Sequence, residues 1–247
     1  MQEKHTGIVL RESDVGENDR IVTLLTAENG IVRAFAKGSK KLKSKLFSST
    51  RLFSYGDFLL YVGRDKYIVT EAVRQGGFFG RIGDIEKLAL AQYVCELASV
   101  AVPQEQPDDT GECLPLVLNT LHTVEQSDKP LPLVKAAFEL RLMMLLGYCP
   151  DVSGCAECSR TDGDMTFFPA DGMLLCPACA PQNGVKLPSF AVAAMRYVLS
   201  CDAKRIYSFS VPSTEALSRA AEQTVKAHLE RDFKTLDFYH SLQGGAT

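Results

Sequence analysis

The stretch Ile21-Val22-Thr23-Leu24-Leu25-Thr26-Ala27-Glu28-Asn29-Gly30-Ile31-Val32-Arg33-Ala34-Phe35-Ala36-Lys37 reads as two β-strands around a tight turn. Val, Ile, Thr, Leu and Phe fill both arms, and Asn-Gly between such arms is a strong hairpin cue. Residues 6–11, 52–62 and 67–73 are composed in the same way, with turn residues at 14–16 and 63–65 marking the ends of strands. Five strands within about 75 residues, with no helical pattern between them, suit a small closed barrel of OB type better than an open sheet with exposed edges. A small sandwich is the alternative.

The grammar changes at Gly76-Gly77. Asp84 is placed to cap a mostly buried helix over 85–102, and helical patterns recur at 113–126, 133–146, 189–200 and 213–233. Residues 103–111 form a polar break, and residues 151–184 are too poor in periodic apolar positions to build a core unaided. The expected class is α+β: an OB-type domain over 1–80, then a helical domain over 81–247 with an insertion at 151–184.

The 247 residues are 46% apolar and 23% charged, which excludes a disordered or fibrous chain. No apolar run approaches the roughly 18 residues of a membrane helix, and the first residues carry no signal-type apolar region. A cytoplasmic protein without a membrane partner is expected. The net charge of −3 hides an asymmetry: residues 1–80 hold 13 Lys and Arg against 9 Asp and Glu, whereas residues 81–247 hold 14 against 21. Between positions 31 and 56 lie Arg33, Lys37, Lys40, Lys41, Lys43, Lys45 and Arg51, and no acid. That run keeps a local positive field whatever the total charge.

Cys155-Ala156-Glu157-Cys158 is followed, after seventeen residues, by Cys176-Pro177-Ala178-Cys179. Two such pairs at this spacing can close a tetrahedron of thiolates around one structural Zn2+. Two redox pairs or free buried thiols are the plainer readings, but four cysteines in one core-poor segment call for a shared cause. An ion held by four thiolates has no open position, so the expected zinc is structural. Cys95, Cys113, Cys149 and Cys201 lie outside the set.

The basic run follows a strand and adjoins segments carrying Phe35, Phe47, Phe53, Tyr55, Tyr61 and Tyr67. Lysines that neutralise phosphates beside aromatic faces that stack bases are the combination used for single-strand binding. A solvated lysine loop is the bland alternative, and many of the aromatics serve equally as barrel core. Catalytic signals are missing: His5, His122, His228 and His240 are scattered, and Gly76-Gly77-Phe78-Phe79-Gly80 lacks the order of a phosphate loop. A non-enzymatic protein is expected.

The assembled pieces resemble the bacterial RecO family of recombination mediators. The resemblance rests on 17–26, Gly30, 36–41, 43–45, Phe138-Glu139-Leu140-Arg141, Leu146-Gly147-Tyr148-Cys149-Pro150 and the two Cys pairs. It implies a DNA repair function: binding of single- and double-stranded DNA, annealing of complementary strands, and loading of RecA on DNA coated by single-strand-binding protein, together with RecR, near the nucleoid. By position, Lys37, Lys40 and Lys41 fall in the family's DNA-contacting loop, Lys43 and Lys45 extend it, and Arg20 and Arg33 are supporting candidates. An RNA-binding or ribosome-associated OB protein with a zinc ribbon would share both signals.

Overall fold

A computed structural model describes residues 1–64, 66–80, 83–104 and 111–243. Asp65 of the expected third turn and most of the expected break at 103–111 lie outside the described residues. Packing divides the chain into two units, Met1–Glu125 with Phe233–Thr247, and Gln126–Asp232.

The first unit begins with strands β1 (Gln2–Val15), β2 (Asp19–Thr26), β3 (Gly30–Ala36), β4 (Ser54–Val62) and β5 (Tyr67–Gly77). They close into a barrel in the order β1-β2-β3-β5-β4. Only the β3–β5 seam is parallel. Val9, Val22, Leu24, Val32, Ala34, Phe58, Leu60 and Val69 alternate inward and form the core. The paired positions Ser13, Ile21, Phe35, Ile68, Tyr61 and Gln2 follow one another around the wall and return to β1 near its other end. That stagger is what tilted strands need to close on themselves. Gly7 and Gly56 face each other across β1 and β4. A Cβ on Gly56 would stand 2.1 Å from the Val73 carbonyl oxygen, and one on Gly7 2.5 Å from that of Leu25, so neither position admits a side chain at this curvature.

β1 outruns the expected 6–11 because its polar ends still pair with β4 and β2. β4 starts at Ser54 rather than Leu52, since Phe53 sits at φ 64 and cannot continue a strand backwards. The hairpin between β2 and β3 turns as expected, with Gly30 at φ 62 and the Thr26 hydroxyl donating to the Gly30 carbonyl at 3.0 Å.

Asp84 caps helix α1 (Ile85–Ala101), its carboxylate accepting the N–H groups of Glu86 at 2.9 Å and Lys87 at 3.1 Å. Helix α1 lies against β1 and β2. Ile8, Leu25 and Ile31, which alternate outward next to core residues, are at most 1% exposed because the helix covers that end of the wall. This contact carries the first unit past residue 80 to include α1 and α2 (Cys113–Gln126). The helical pattern at 213–233 is interrupted: α5 (Glu215–Leu229) stops at Glu230 in the left-handed region, and α6 (Lys234–Gln243) returns to α1. There Tyr93 and Phe233 meet edge to face at 5.8 Å, and the Glu96 carboxylate accepts the Thr235 N–H and hydroxyl.

The second unit contains α3 (Leu131–Leu145), α4 (Ser189–Ser200), α5 and a small sheet of β6 (Asp151–Cys155), β7 (Met165–Phe168), β8 (Met173–Leu175) and β9 (Val185–Leu187) in the order β6-β8-β7-β9. Helix α3 packs on α4 and α5 and buries three charges: Lys135, Glu139 and Arg141. Lys135 Nζ donates at 3.0 Å to both Glu139 oxygens and to Glu222 on α5. Arg141 donates to the Cys201 carbonyl just past α4. Paired this way, the charges are tolerated and fix which helix faces meet. Among the described residues no helix is long and apolar enough to cross a membrane.

Candidate nucleic-acid interface and metal centre

Residues 37–53 join β3 to β4 as a succession of turns, in which Ser39, Lys41, Ser44 and Phe47 each donate a backbone N–H to the residue three before. Gly38 supplies a left-handed position at φ 66. The segment is tied to the β1–β2 connection by the Lys40 N–H on the Asn18 carbonyl at 3.0 Å and by the Gly38 N–H on Asp19 Oδ1 at 2.6 Å. Leu46 reaches the barrel core and closes that end.

Under this plug lies Arg20, only 3% exposed. One guanidinium nitrogen donates to the Ser39 carbonyl at 3.2 Å and to Thr50 Oγ1 at 3.3 Å, Nε stands 3.2 Å from Glu12, and the group lies 5.6 Å from the Phe47 ring centroid. Arg20 is therefore corrected from a candidate DNA contact to a buried strut, since it has no surface to offer a phosphate. The sequence could not separate these roles, because a strand arginine looks alike on either face.

The other basic candidates do reach solvent. Arg33, Lys37, Lys41, Lys43, Lys45 and Arg51 are exposed, and Lys40 is half-buried. Lys40 bonds Asp14 at 2.8 Å and holds that carboxyl below its usual range, while Arg51 lies 3.4 Å from Glu12. Among the described residues no carboxylate lies within ion-pair distance of Arg33, Lys37, Lys41, Lys43 or Lys45, so their charge faces outward. Of the aromatics, Phe53 is buried against Phe79, Tyr67 packs on the core and Phe47 lies against the Arg20 guanidinium. Phe35 and Tyr55 are half-buried, and Tyr61 is exposed.

In the second unit Cys155, Cys158, Cys176 and Cys179 bring four sulfurs within 4.8 Å of one another, with Cys158 and Cys176 at 3.7 Å. Four sulfurs about 2.3 Å from a common centre stand about 3.8 Å apart, so the donor set and its spacing fit a tetrahedral metal site. Backbone N–H groups are aimed at the thiols. The Cys176 N–H, and behind it those of Cys158 and Glu157, hold Cys155 down to about 6 against the opposing effect of burial. At Cys176 burial opposes ionisation, but the N–H groups of Ala178 and Cys179 outweigh it and the thiol is lowered. Cys179 is pushed up to about 12, first by its hydrogen bond to Cys176. Such a set, partly ionised in advance, suits a thiophilic cation.

Two supports of this centre had no signal in spacing or composition. Arg196 on α4 donates to the carbonyls of Val152 at 2.6 Å, Thr161 at 2.9 Å and Ser153 at 3.1 Å, gripping the chain around the first Cys pair. Asp164 accepts the Ser189 N–H at 2.9 Å at the start of α4. The remaining cysteines stand apart: burial pushes the Cys113 thiol up to about 11 and raises Cys95 further. His228 is stacked on Tyr148 with ring centroids 4.5 Å apart, a packing role.

Two family models match the chain: Recombination protein O N terminal over residues 1–75, and Recombination protein O C terminal over residues 82–237. Full-length relatives named DNA repair protein RecO agree. One from Acetivibrio thermocellus is 31% identical over 97% of this chain and 96% of its own. Those of Dehalococcoides mccartyi and Roseiflexus are 32% and 33% identical, covering 97% and 96% of this chain and 95% and 84% of theirs.

Proposed function

Since the chain belongs to the RecO family of DNA repair proteins, we propose that it is a non-catalytic recombination mediator that binds single- and double-stranded DNA and anneals complementary strands. The observation that carries this reading is the turn segment after β3: a rigidly anchored loop whose outward lysines meet no acid. Two phosphate backbones repel one another, and a cationic surface that neutralises both lowers that barrier while leaving base edges free to pair. In this reading Lys37, Lys41, Lys43 and Lys45, with Lys40, Arg33 and Arg51, position phosphates and carry no sequence information. The strand order and the single parallel seam favour an OB-type barrel spanning 1–80. The four cysteines hold one structural Zn2+, which fastens residues 151–184 and takes no part in strand exchange.

RecR, single-strand-binding protein and, through them, the RecA filament are the partners this reading assigns, in the cytoplasm near the nucleoid. The acidic remainder of the chain, 21 acids against 14 bases over 81–247, suits protein contacts better than DNA. A groove of about 880 Å³ between β9, the second Cys pair and the start of α5, floored by Leu187, Phe190 and Pro177, has room for a short peptide. The test is annealing of complementary oligonucleotides, bare and coated with cognate single-strand-binding protein. Acceleration in both cases supports the reading. No acceleration with either, or a strong preference for RNA over a matched DNA strand, overturns it.

A further inference from the structure

The turn segment after β3, residues 37–53, holds five large apolar side chains, and they fare differently. Leu46 and Phe53 are buried, and Phe47 and Leu52 are half-buried, but Leu42 is 84% exposed. No other large apolar side chain among the described residues is as open to solvent. A single exposed leucine needs no explanation by itself. Two features set this one apart. Its position is fixed: the Ser44 N–H donates to the Lys41 carbonyl at 2.8 Å, so Leu42 and Lys43 form the tip of a closed turn. Just beyond it, Ser44 Oγ accepts the Leu46 N–H at 3.2 Å, and Leu46 is seated in the barrel core. Its neighbours are cationic: Lys41 and Lys43 flank it, Lys37 and Lys45 follow on either side in the chain, and all four are exposed. Among the described residues no carboxylate lies within ion-pair distance of any of them.

We propose that Leu42 is a wedge: the lysines bring the turn onto the phosphates of a duplex, and Leu42 enters a base step from the minor groove, parts it and kinks the helix. The inference rests on the nucleic-acid reading above and adds to it a deformation of paired DNA, which phosphate contacts alone do not produce. An apolar side chain pushed between two base pairs leaves water and replaces part of their stacking with its own contacts, while flanking cations hold the backbones at the groove edges. Leucine makes no hydrogen bond and so reads no base edge. The steps that open most readily are pyrimidine–purine steps such as TA, so preference follows deformability rather than sequence. An anionic membrane would meet the same lysines, but one leucine buries far too little to hold a protein there. At a base step one side chain suffices.

The probes are a short duplex with a central TA step, carrying a donor and an acceptor at its ends, and the same duplex with 2-aminopurine at that step. Saturation with the unaltered protein should shorten the end-to-end distance and raise the 2-aminopurine emission. Leu42→Ala, at a site too exposed to disturb the fold, should bind within about threefold and keep its salt slope, because the lysines remain. It should lose most of the bend and of the emission rise, and Leu42→Met should retain both. A bound duplex that stays straight and stacked, or one bent equally by Leu42→Ala, overturns the wedge. If Leu42→Ala leaves the duplex signals unchanged and instead releases the protein from phosphatidylglycerol vesicles, the turn belongs to a membrane surface and the wedge is overturned too. If the unaltered protein does not bind the duplex at low salt, the functional reading fails and the wedge with it. If it binds, and loop lysine variants weaken binding without any bend ever appearing, the wedge alone fails.

Discussion

Two long segments between the main elements, the turns of residues 37–53 after β3 and the short strands and loops of residues 151–184 after α3, are held by different physics. The first is anchored from below: Leu46 sits in the barrel core and Arg20 ties Ser39 and Thr50 to Glu12. With its internal needs met by Leu46 and Arg20, it can leave most of its lysines unpaired toward solvent. The second buries Val152, Met165, Phe167, Leu174 and Leu175, more than its sequence periodicity suggested, and is gathered by four converging thiols and by Arg196 from outside. A loop destined to present charge is stabilised by groups beneath it, whereas a loop that must define its own shape is stabilised by groups at its centre.

The largest effect should come from removing the centre of the second segment. Cys158→Ser, or chelation of the intact protein, should cost several kcal/mol in that unit, expose residues 151–184 to protease and leave the barrel protected. Elemental analysis should find one zinc per chain before and none after; protection unchanged by chelation would break the contrast. Next, Arg20→Met removes the strut under the first segment and leaves Glu12 without its buried partner, at about 3 kcal/mol. Thermal melting should record the loss, and DNA binding should weaken only as far as the loop loses its order.

Acidification sharpens the comparison further. Cys155 is depressed in the folded chain from 9.0 to about 6, so its thiolate contribution is complete above 9.0, declines as pH falls, and is gone below about 6. A bound cation moves that window lower still. Zinc release on acid titration should therefore precede melting of the barrel. The smallest effect is at Arg51, exposed and beside Glu12: Arg51→Ala should change stability by less than about 1 kcal/mol.

What sequence revealed followed periodicity and punctuation. The alternation of Val22, Leu24, Val32 and Ala34, the Asn29-Gly30 turn, the Asp84 cap and the Cys spacing each state a local rule that the structure obeys. What it concealed depends on contacts far along the chain. Arg20 reads as a surface base until Ser39 and Thr50 arrive over it, and Lys135 and Glu139 read as polar interruptions until Glu222 joins them. Arg196 lies more than thirty residues from the carbonyls it binds. The break at Glu230 was equally hidden, because a left-handed glutamate has no residue signature.

The most direct measurement of the central claim is DNA affinity over a series of salt concentrations, for the unaltered protein and for Lys37→Ala/Lys40→Ala/Lys41→Ala. Each phosphate that is no longer neutralised should lower the slope of log affinity against log salt by about 0.7 to 0.9. The predicted result is weaker binding to unrelated sequences alike, with a slope reduced by about 2. Unchanged affinity and slope would contradict it.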